Sequence, residues 1–200
     1  MKIGILSLQG DFEKHRMMFD LLGIDTVLVR ERNQFSTIDG LVIPGGESTT
    51  MGKLIGAFNL DAPLKHEILE KKMPVLGTCA GMILLAKDIT GYSQYTIGAL
   101  DITVERNAYG RQTESFETDI TAHFEKNETI EKKFKGVFIR APRITGTGDE
   151  VEILARFEDS PVLVRQGNIL AMSFHPELTD DTYLHSFFCE MVENVIGTYS

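Results

Sequence analysis

Over its first ninety residues the chain alternates short apolar runs with amphipathic ones, and that alternation limits the available folds more than any other feature. Strands and helices that take turns along a chain build a mostly parallel sheet with helices on its faces. "KIGILSL", "IDTVLVR", "DGLVIPGG" and "MPVLGTC" read as four strands. Between the first two, "DFEKHRMMFDLLG" sets Phe12, His15, Met18, Phe19 and Leu22 near helical spacing, with Gly23 as the stop. Ser48 and Thr49 are placed to cap a short helix, "APLKHEILEKK" reads as a helix entered through Pro63, and "AGMILLAK" as another. From Tyr92 to about Leu170 the pattern changes: "YTIGALDITVER", "ESFETDITAHF", "KGVFIRAPRI", "EVEILARFED", "SPVLVRQG" and "NILAMSFHPE" read as successive strands. "GTGDE" (146–150) and "RQGN" (165–168) are the expected hairpin turns between them. Beyond Asp180, residues Tyr183, Leu184, Phe187, Phe188, Met191, Val192 and Val195 mark one face of a final helix. The expectation is an α/β fold of three layers, a mostly parallel sheet flanked by helices, with an antiparallel β elaboration in the second half. A chain of 200 residues, 42% of them hydrophobic, can bury such a core as one domain spanning residues 1–200.

Charge and cysteine usage exclude several function classes. With 29 acidic against 20 basic residues the formal charge is -9, which repels phosphate backbones, and no basic cluster provides a local exception. Nucleic acid is therefore not an expected partner. The apolar N-terminal stretch is cut short by Gln9, Gly10 and Asp11 before it could serve as a signal-peptide core, and no stretch reaches transmembrane length. Two widely separated cysteines without a Cys-x-x-Cys fit neither a disulfide scaffold nor a zinc site. They suit a reducing, cytoplasmic setting in which a thiol stays free to react.

One of those thiols has unusual neighbours. Gly77-Thr78-Cys79-Ala80-Gly81 stands where a buried strand turns sharply into a helix, the sulfur counterpart of a G-x-S-x-G nucleophile elbow. Such a turn strains the central residue and leaves no room for side chains at the flanking glycines. It would expose the sulfur at the carboxyl edge of the sheet and aim the Ala80 amide at an oxyanion formed there. A small cysteine packed like alanine would show the same spacing, so the decision falls to its companions.

Two companions are present. "VIPGGEST" ends another strand of the same sheet, so its loop should emerge beside Cys79, with Gly45 and Gly46 letting the backbone approach a substrate and freeing a second oxyanion amide. A phosphate loop would need a Gly-Lys-Ser/Thr ending that is missing, and a plain tight turn would explain the glycines but not their location. In "SFHPEL" an apolar run ends in His175 and Glu177; alternation along an extended chain would place both on one side, with Pro176 stiffening the link. An imidazole titrating near neutrality could take the thiol proton and return it to a leaving amine. His15, His66, His123 and His185 read as structural or solvated, the first, second and fourth on helix faces. Metal binding by Cys79, His175 and Glu177 lacks the close paired spacing of structural zinc sites, and no metal or cofactor is expected. Together the three segments specify acyl transfer through a thioester.

These segments, "PGGEST", "GTCAG" and "FHPEL", resemble the active-site motifs of triad-type, class I glutamine amidotransferases, whose fold is flavodoxin-like. "LSLQGDFEKH", "VERNAYGRQ" and "VFIRAP" narrow the resemblance to the glutaminase subunits of pyridoxal 5'-phosphate synthases. The resemblance implies an enzyme that hydrolyses L-glutamine and passes ammonia to a separate barrel-shaped synthase subunit. It places the nucleophile on Cys79, the relay pair on His175 and Glu177, and the oxyanion donors on Gly46 and Ala80. Glutamine contacts would fall on Gly46, Glu47, Ser48, Arg106, Ile139 and Arg140, and Gln9 would link the oxyanion loop to the partner. An arginine suits the substrate α-carboxylate and a carbonyl or Glu47 its ammonium, although Arg106 and Arg140, within apolar strands, could equally form ordinary ion pairs. Two other readings stay open: a cysteine peptidase or the glutaminase of another amidotransferase, and a non-catalytic glutamine sensor.

Overall fold

The computed structural model describes residues 1–106, 108, 115–124 and 130–198, and within them strand order departs from chain order at the first crossover. β1 (Lys2–Leu6) runs through α1 (Phe12–Leu21) to β2 (Asp25–Val29), parallel on one side of β1; β3 (Gly40–Ile43) pairs parallel on the other. α2 (Ser48–Ala57) and α3 (Asp61–Lys65), continued by a π turn over His66–Glu70, lead to β4 (Val75–Thr78), parallel to β3. α4 (Ala80–Leu85) follows directly, then β5 (Ala86–Ile89), β6 (Leu100–Glu105), β7 (Ser115–His123), β8 (Glu131–Ile139) and β9 (Arg143–Thr147). β10 (Glu152–Phe157), β11 (Ser160–Gln166), β12 (Ile169–Met172) and α5 (Tyr183–Thr198) complete the described chain.

Nine strands form one sheet in the order β2-β1-β3-β4-β12-β11-β10-β7-β8, and β5-β6-β9 form a second. The larger sheet is parallel from β2 to β12 and antiparallel from β12 outward to β8. Every residue of β3, β4 and β12 is buried, as covered parallel strands must be. One face packs against α1 and α5 through Phe19, Leu184, Phe188 and Val192; the other packs against α2, α3 and α4 through Met51, Ile55, Leu64 and Met82. This is the three-layer fold expected from the alternation. Among the described residues no helix is long and apolar enough to cross a membrane.

Several local expectations are corrected. "AGMILLAK" is helical only to Leu85; Ala86–Ile89 is β5, an edge strand of the second sheet. "GTGDE" is not a hairpin turn, because β9 pairs with β6 whereas β10 pairs with β11 and β7, so this segment carries the chain between sheets. "RQGN" is a hairpin turn, with Gln166 opposite Ile169. "KGVFIRAPRI" is two strands broken at Arg140, whose φ is +43°. The cap of α2 is Glu47 rather than Ser48 or Thr49: its carboxylate accepts from the amides of Thr49 at 3.1 Å and Thr50 at 2.7 Å, offsetting the orphan donors of the first turn. Asn107 and Tyr109–Gln112 of "VERNAYGRQ" lie outside the described residues.

Candidate active site

Strand adjacency builds the site. β1, β3, β4 and β12 are consecutive and parallel, so the segments leaving their carboxyl ends, which hold Gln9, Gly46, Cys79 and His175, emerge at one rim. Cys79 sits there with φ +46° and ψ -101°, between the end of β4 and the first residue of α4, Ala80. The glycines beside it are required by space. A Cβ on Gly81 would strike the Ile43 carbonyl of β3, and one on Gly77 would lie 2.5 Å from Leu85 Cδ1 and 3.1 Å from the Gly81 backbone. The sulfur is less open than expected: Cys79 is only 6% exposed and faces a cavity rather than the surface.

That cavity, about 260 Å³, is lined by Gln9, Gly46, Glu47, Ser48, Cys79, Arg106, Ile139, Arg140 and His175, together with Asp11 and Ile83. Its size suits one amino acid better than a peptide, since pockets for larger ligands begin near 300 Å³. Of the residues singled out from sequence, Gly45, Ala80 and Glu177 do not line it: Gly45 packs on the His175 ring, Ala80 is buried at the start of α4 and Glu177 stands behind His175. A larger groove of about 950 Å³, between residues 31–36 and 62–71, contains none of these groups.

His175 lines the same cavity as Cys79, and its Nδ1 donates to Glu177 Oε1 at 2.7 Å. The backbone reason differs from the expected strand alternation, because β12 ends at Met172 and Pro176–Leu178 forms a 3₁₀ turn, capped by an extended His175, that folds Glu177 back under the ring. The His175 amide is tied to the Val137 carbonyl of β8 at 2.8 Å. A Cβ on Gly45 would enter the imidazole, so the diglycine loop packs directly on the ring. Burial opposes the imidazolium, but hydrogen bonds and charge from Cys79 and Glu177 outweigh it and raise His175 to about 10, not the near-neutral value expected. Burial pushes the Glu177 carboxyl upward despite its bond to His175.

The loop side of the cavity is braced. Gln9 Oε1 accepts from the Glu47 amide at 2.8 Å, next to Gly46. Arg106 follows β6 rather than lying inside it; it donates to Gln94 at 2.8 Å, Thr49 at 3.0 Å and Glu47 at 3.2 Å, with its guanidinium 4.5 Å from the Tyr92 ring centre. Glu47 is held at about 2 because hydrogen bonds from Thr50 and Thr49 overcome its burial. Arg140 is exposed, and the Ile139 carbonyl lies 3.8 Å from Cys79 Sγ. Asp11, His175 and Glu177 bring potential metal-ligand atoms within 4.8 Å of one another, but the His175 Nδ1 proton already occupies that junction. Sequence reasoning missed His15 and His185: both are fully buried, and His15 Nε2 lies 3.5 Å from Glu177 Oε2. Their helical phase is that of ordinary core residues, so no local pattern marked them.

The SNO glutamine amidotransferase family model matches residues 5–194. The pyridoxal 5'-phosphate synthase subunit PdxT of Thermosipho africanus is 51% identical over 96% of this chain and its own full length. The PdxT of Thermotoga maritima (strain MSB8) is 52% identical with the same coverage. A crystal structure described as a glutamine amidotransferase superposes with a TM-score of 0.89 at 47% identity, covering 96% of this chain and 98% of its own. The crystal structure of another glutamine amidotransferase, from Thermotoga maritima, shares the fold alone, with a TM-score of 0.61 at 17% identity over 98% of this chain and 85% of its own. With a family match over nearly the whole length, and a thiol facing the same cavity as an imidazole bonded to a carboxylate at the rim of an α/β sheet, the chain belongs to the SNO glutamine amidotransferase family.

Proposed function

We propose that residues 1–200 act as one glutaminase domain, the subunit of pyridoxal 5'-phosphate synthase that hydrolyses L-glutamine to L-glutamate and ammonia. The observation that supports this reading is the convergence of Cys79, His175 and Gly46 on one cavity sized for an amino acid, with Glu177 bonded to His175 from behind and Gly45 packed on the ring. Cys79 passes its thiol proton to His175, whose pKa, raised to about 10, favours the imidazolium, and that imidazolium then acts as the acid. Cys79 Sγ attacks the side-chain carbonyl carbon of glutamine, and the Gly46 and Ala80 amides receive the oxyanion. As the carbon–nitrogen bond breaks, the His175 proton passes to the departing nitrogen, releasing ammonia and leaving a glutamyl thioester. His175, now neutral, accepts a proton from water as it attacks the thioester; glutamate leaves and the starting state returns.

Arg106 and Arg140 serve the substrate α-carboxylate, and Glu47 with Ser48 and Ile139 the remaining polar contacts. Arg106 is already engaged by Glu47, so substrate joins an existing network rather than meeting a bare cation. Ammonia released into water at neutral pH is protonated and ceases to be a nucleophile, so the reaction calls for a partner docked at this rim: the barrel-shaped synthase subunit. Gln9, bonded to the loop amide, is the residue through which docking would order the oxyanion donors. Cytoplasmic thiol-reducing conditions keep Cys79 and Cys189 free. In the complex with the synthase subunit, Cys79→Ala should lower glutamine hydrolysis by about 10³-fold or more while synthesis fed with ammonium salt continues. Unchanged glutaminase activity in that variant overturns the mechanism, and cleavage of peptides by the wild type would replace glutamine as substrate.

A further inference from the structure

Behind His175 a chain of buried polar groups continues into the protein, and the triad chemistry does not account for it. Glu177 Oε1 accepts from His175, but Oε2, fully buried, accepts no hydrogen bond among the described residues. His15 of α1 stands beside it, Nε2 being 3.5 Å from Glu177 Oε2 and 3.2 Å from the hydroxyl of Thr78, the residue before Cys79. On its other side, His15 Nδ1 lies 2.9 Å from His185 Nε2 of α5. His185 Nδ1 is buried without a partner among the described residues, its ring meeting Phe19 edge-on at 5.1 Å.

These contacts determine where the protons sit. Two bare nitrogens cannot bond, so one proton lies between His15 Nδ1 and His185 Nε2. If His15 supplied it, a neutral His185 would carry its own proton on Nδ1, a buried donor with no acceptor, and His15 would aim a lone pair at the Glu177 carboxylate. If His185 supplies it from Nε2, no buried N–H is orphaned and His15 carries its proton on Nε2, facing Glu177 and Thr78. Both rings stay neutral: burial, with His185 and His175 nearby, holds His15 well below the usual histidine range, and burial brings His185 down to about 4. The cation of the cluster is then His175 alone.

We propose that His15, its tautomer set by His185, is a positioning residue for the hydrolysis: its Nε2–H is shared between Glu177 Oε2 and Thr78 Oγ1, which keeps the carboxylate ionised and aimed at His175. The relay thus has two inner members contributed by the first and last helices, and the carboxylate is tied to the residue that precedes the nucleophile. This rests on the glutaminase reading above.

The test compares wild type, His15→Phe and His15→Gln as glutaminases within the synthase complex. His15→Phe removes the donor, and kcat should fall by about 10- to 100-fold, the range seen when an outer hydrogen-bonding partner is lost, with KM within about twofold. The basic limb of the pH profile should move to lower pH, because a less ionised Glu177 no longer supports the His175 imidazolium. The ionisable groups around His175 are Cys79, Glu177 and the partly exposed Asp11, whose Oδ2 is 3.8 Å from His175 Nδ1. His15→Gln, which retains an N–H, should restore most of the loss. An unmoved limb in His15→Phe, or equal losses in the two variants, overturns the proposal. If the variants do not fold, ring-nitrogen NMR of the wild type decides: neutral Nε2–H tautomers at both His15 and His185 above about pH 5 are expected, and a cationic or Nδ1–H His15 overturns it. Wild-type complex that releases no ammonia from glutamine sinks the glutaminase reading instead, while the NMR result still judges the proton order.

Discussion

Cys79 occupies a backbone conformation that costs of order 1–3 kcal/mol for a non-glycine residue, and β3 and β12, the two strands that flank β4, hold it there. The histidines around it carry opposed pH dependences. His175, raised to about 10 from the ordinary 6.5, contributes stability that is fully present below pH 6.5 and lost as pH rises through 10. His185, lowered to about 4, contributes stability present above pH 6.5 and lost as pH falls through 4. Thermal unfolding followed against pH should therefore give a plateau near neutrality with both flanks falling; His175→Gln should flatten the alkaline flank and His185→Phe the acid one. Unaltered flanks would refute the assignment. The outer residues of this cluster were legible because each carries a local mark: glycines around Cys79, a proline between His175 and Glu177. His15 and His185 carry none, and their 170-residue separation closes only in three dimensions.

Elements were legible where a period ran unbroken and missed where tertiary pairing overrode it. α1, β1 to β4 and α5 follow their hydrophobic patterns, whereas Ala86–Ile89 continues an apolar helical run yet becomes a strand because β6 offers it an edge. The crossover from β9 to β10 has hairpin-like composition, and nothing local says that its two ends belong to different sheets. The hairpin that was missed joins β10 to β11, where Phe157 faces Ser160 and Glu158 is forced to φ +51°. A left-handed glutamate is costly there, and glycine is the residue that turn prefers. Glu158→Gly should raise stability, because relief of a left-handed conformation costing about 1–2 kcal/mol exceeds the roughly 0.5–1 kcal/mol entropic cost of glycine, read as a higher denaturant midpoint with an unchanged slope. A lower midpoint would show that the glutamate side chain outweighs the strain.

Across the whole molecule, stability should be graded along the large sheet. β3, β4 and β12 are buried throughout and flanked on both sides, while β7 and β8 form the outermost hairpin with alternating exposed residues. Native-state hydrogen exchange should find the slowest amides in β4 and β12 and faster exchange in the β7–β8 hairpin, because local opening spares strands whose release requires the entire core to open. Equal protection in both regions would show that the sheet opens as one unit. The strand that completes the parallel core is also nearly the last to be made: β12 slots between β4 and β11 after some 170 residues have been synthesised. A chain still on the ribosome thus holds the Cys79 sulfur before His175 and Glu177 exist beside it, and on the proposed mechanism a product terminated ahead of them hydrolyses no glutamine.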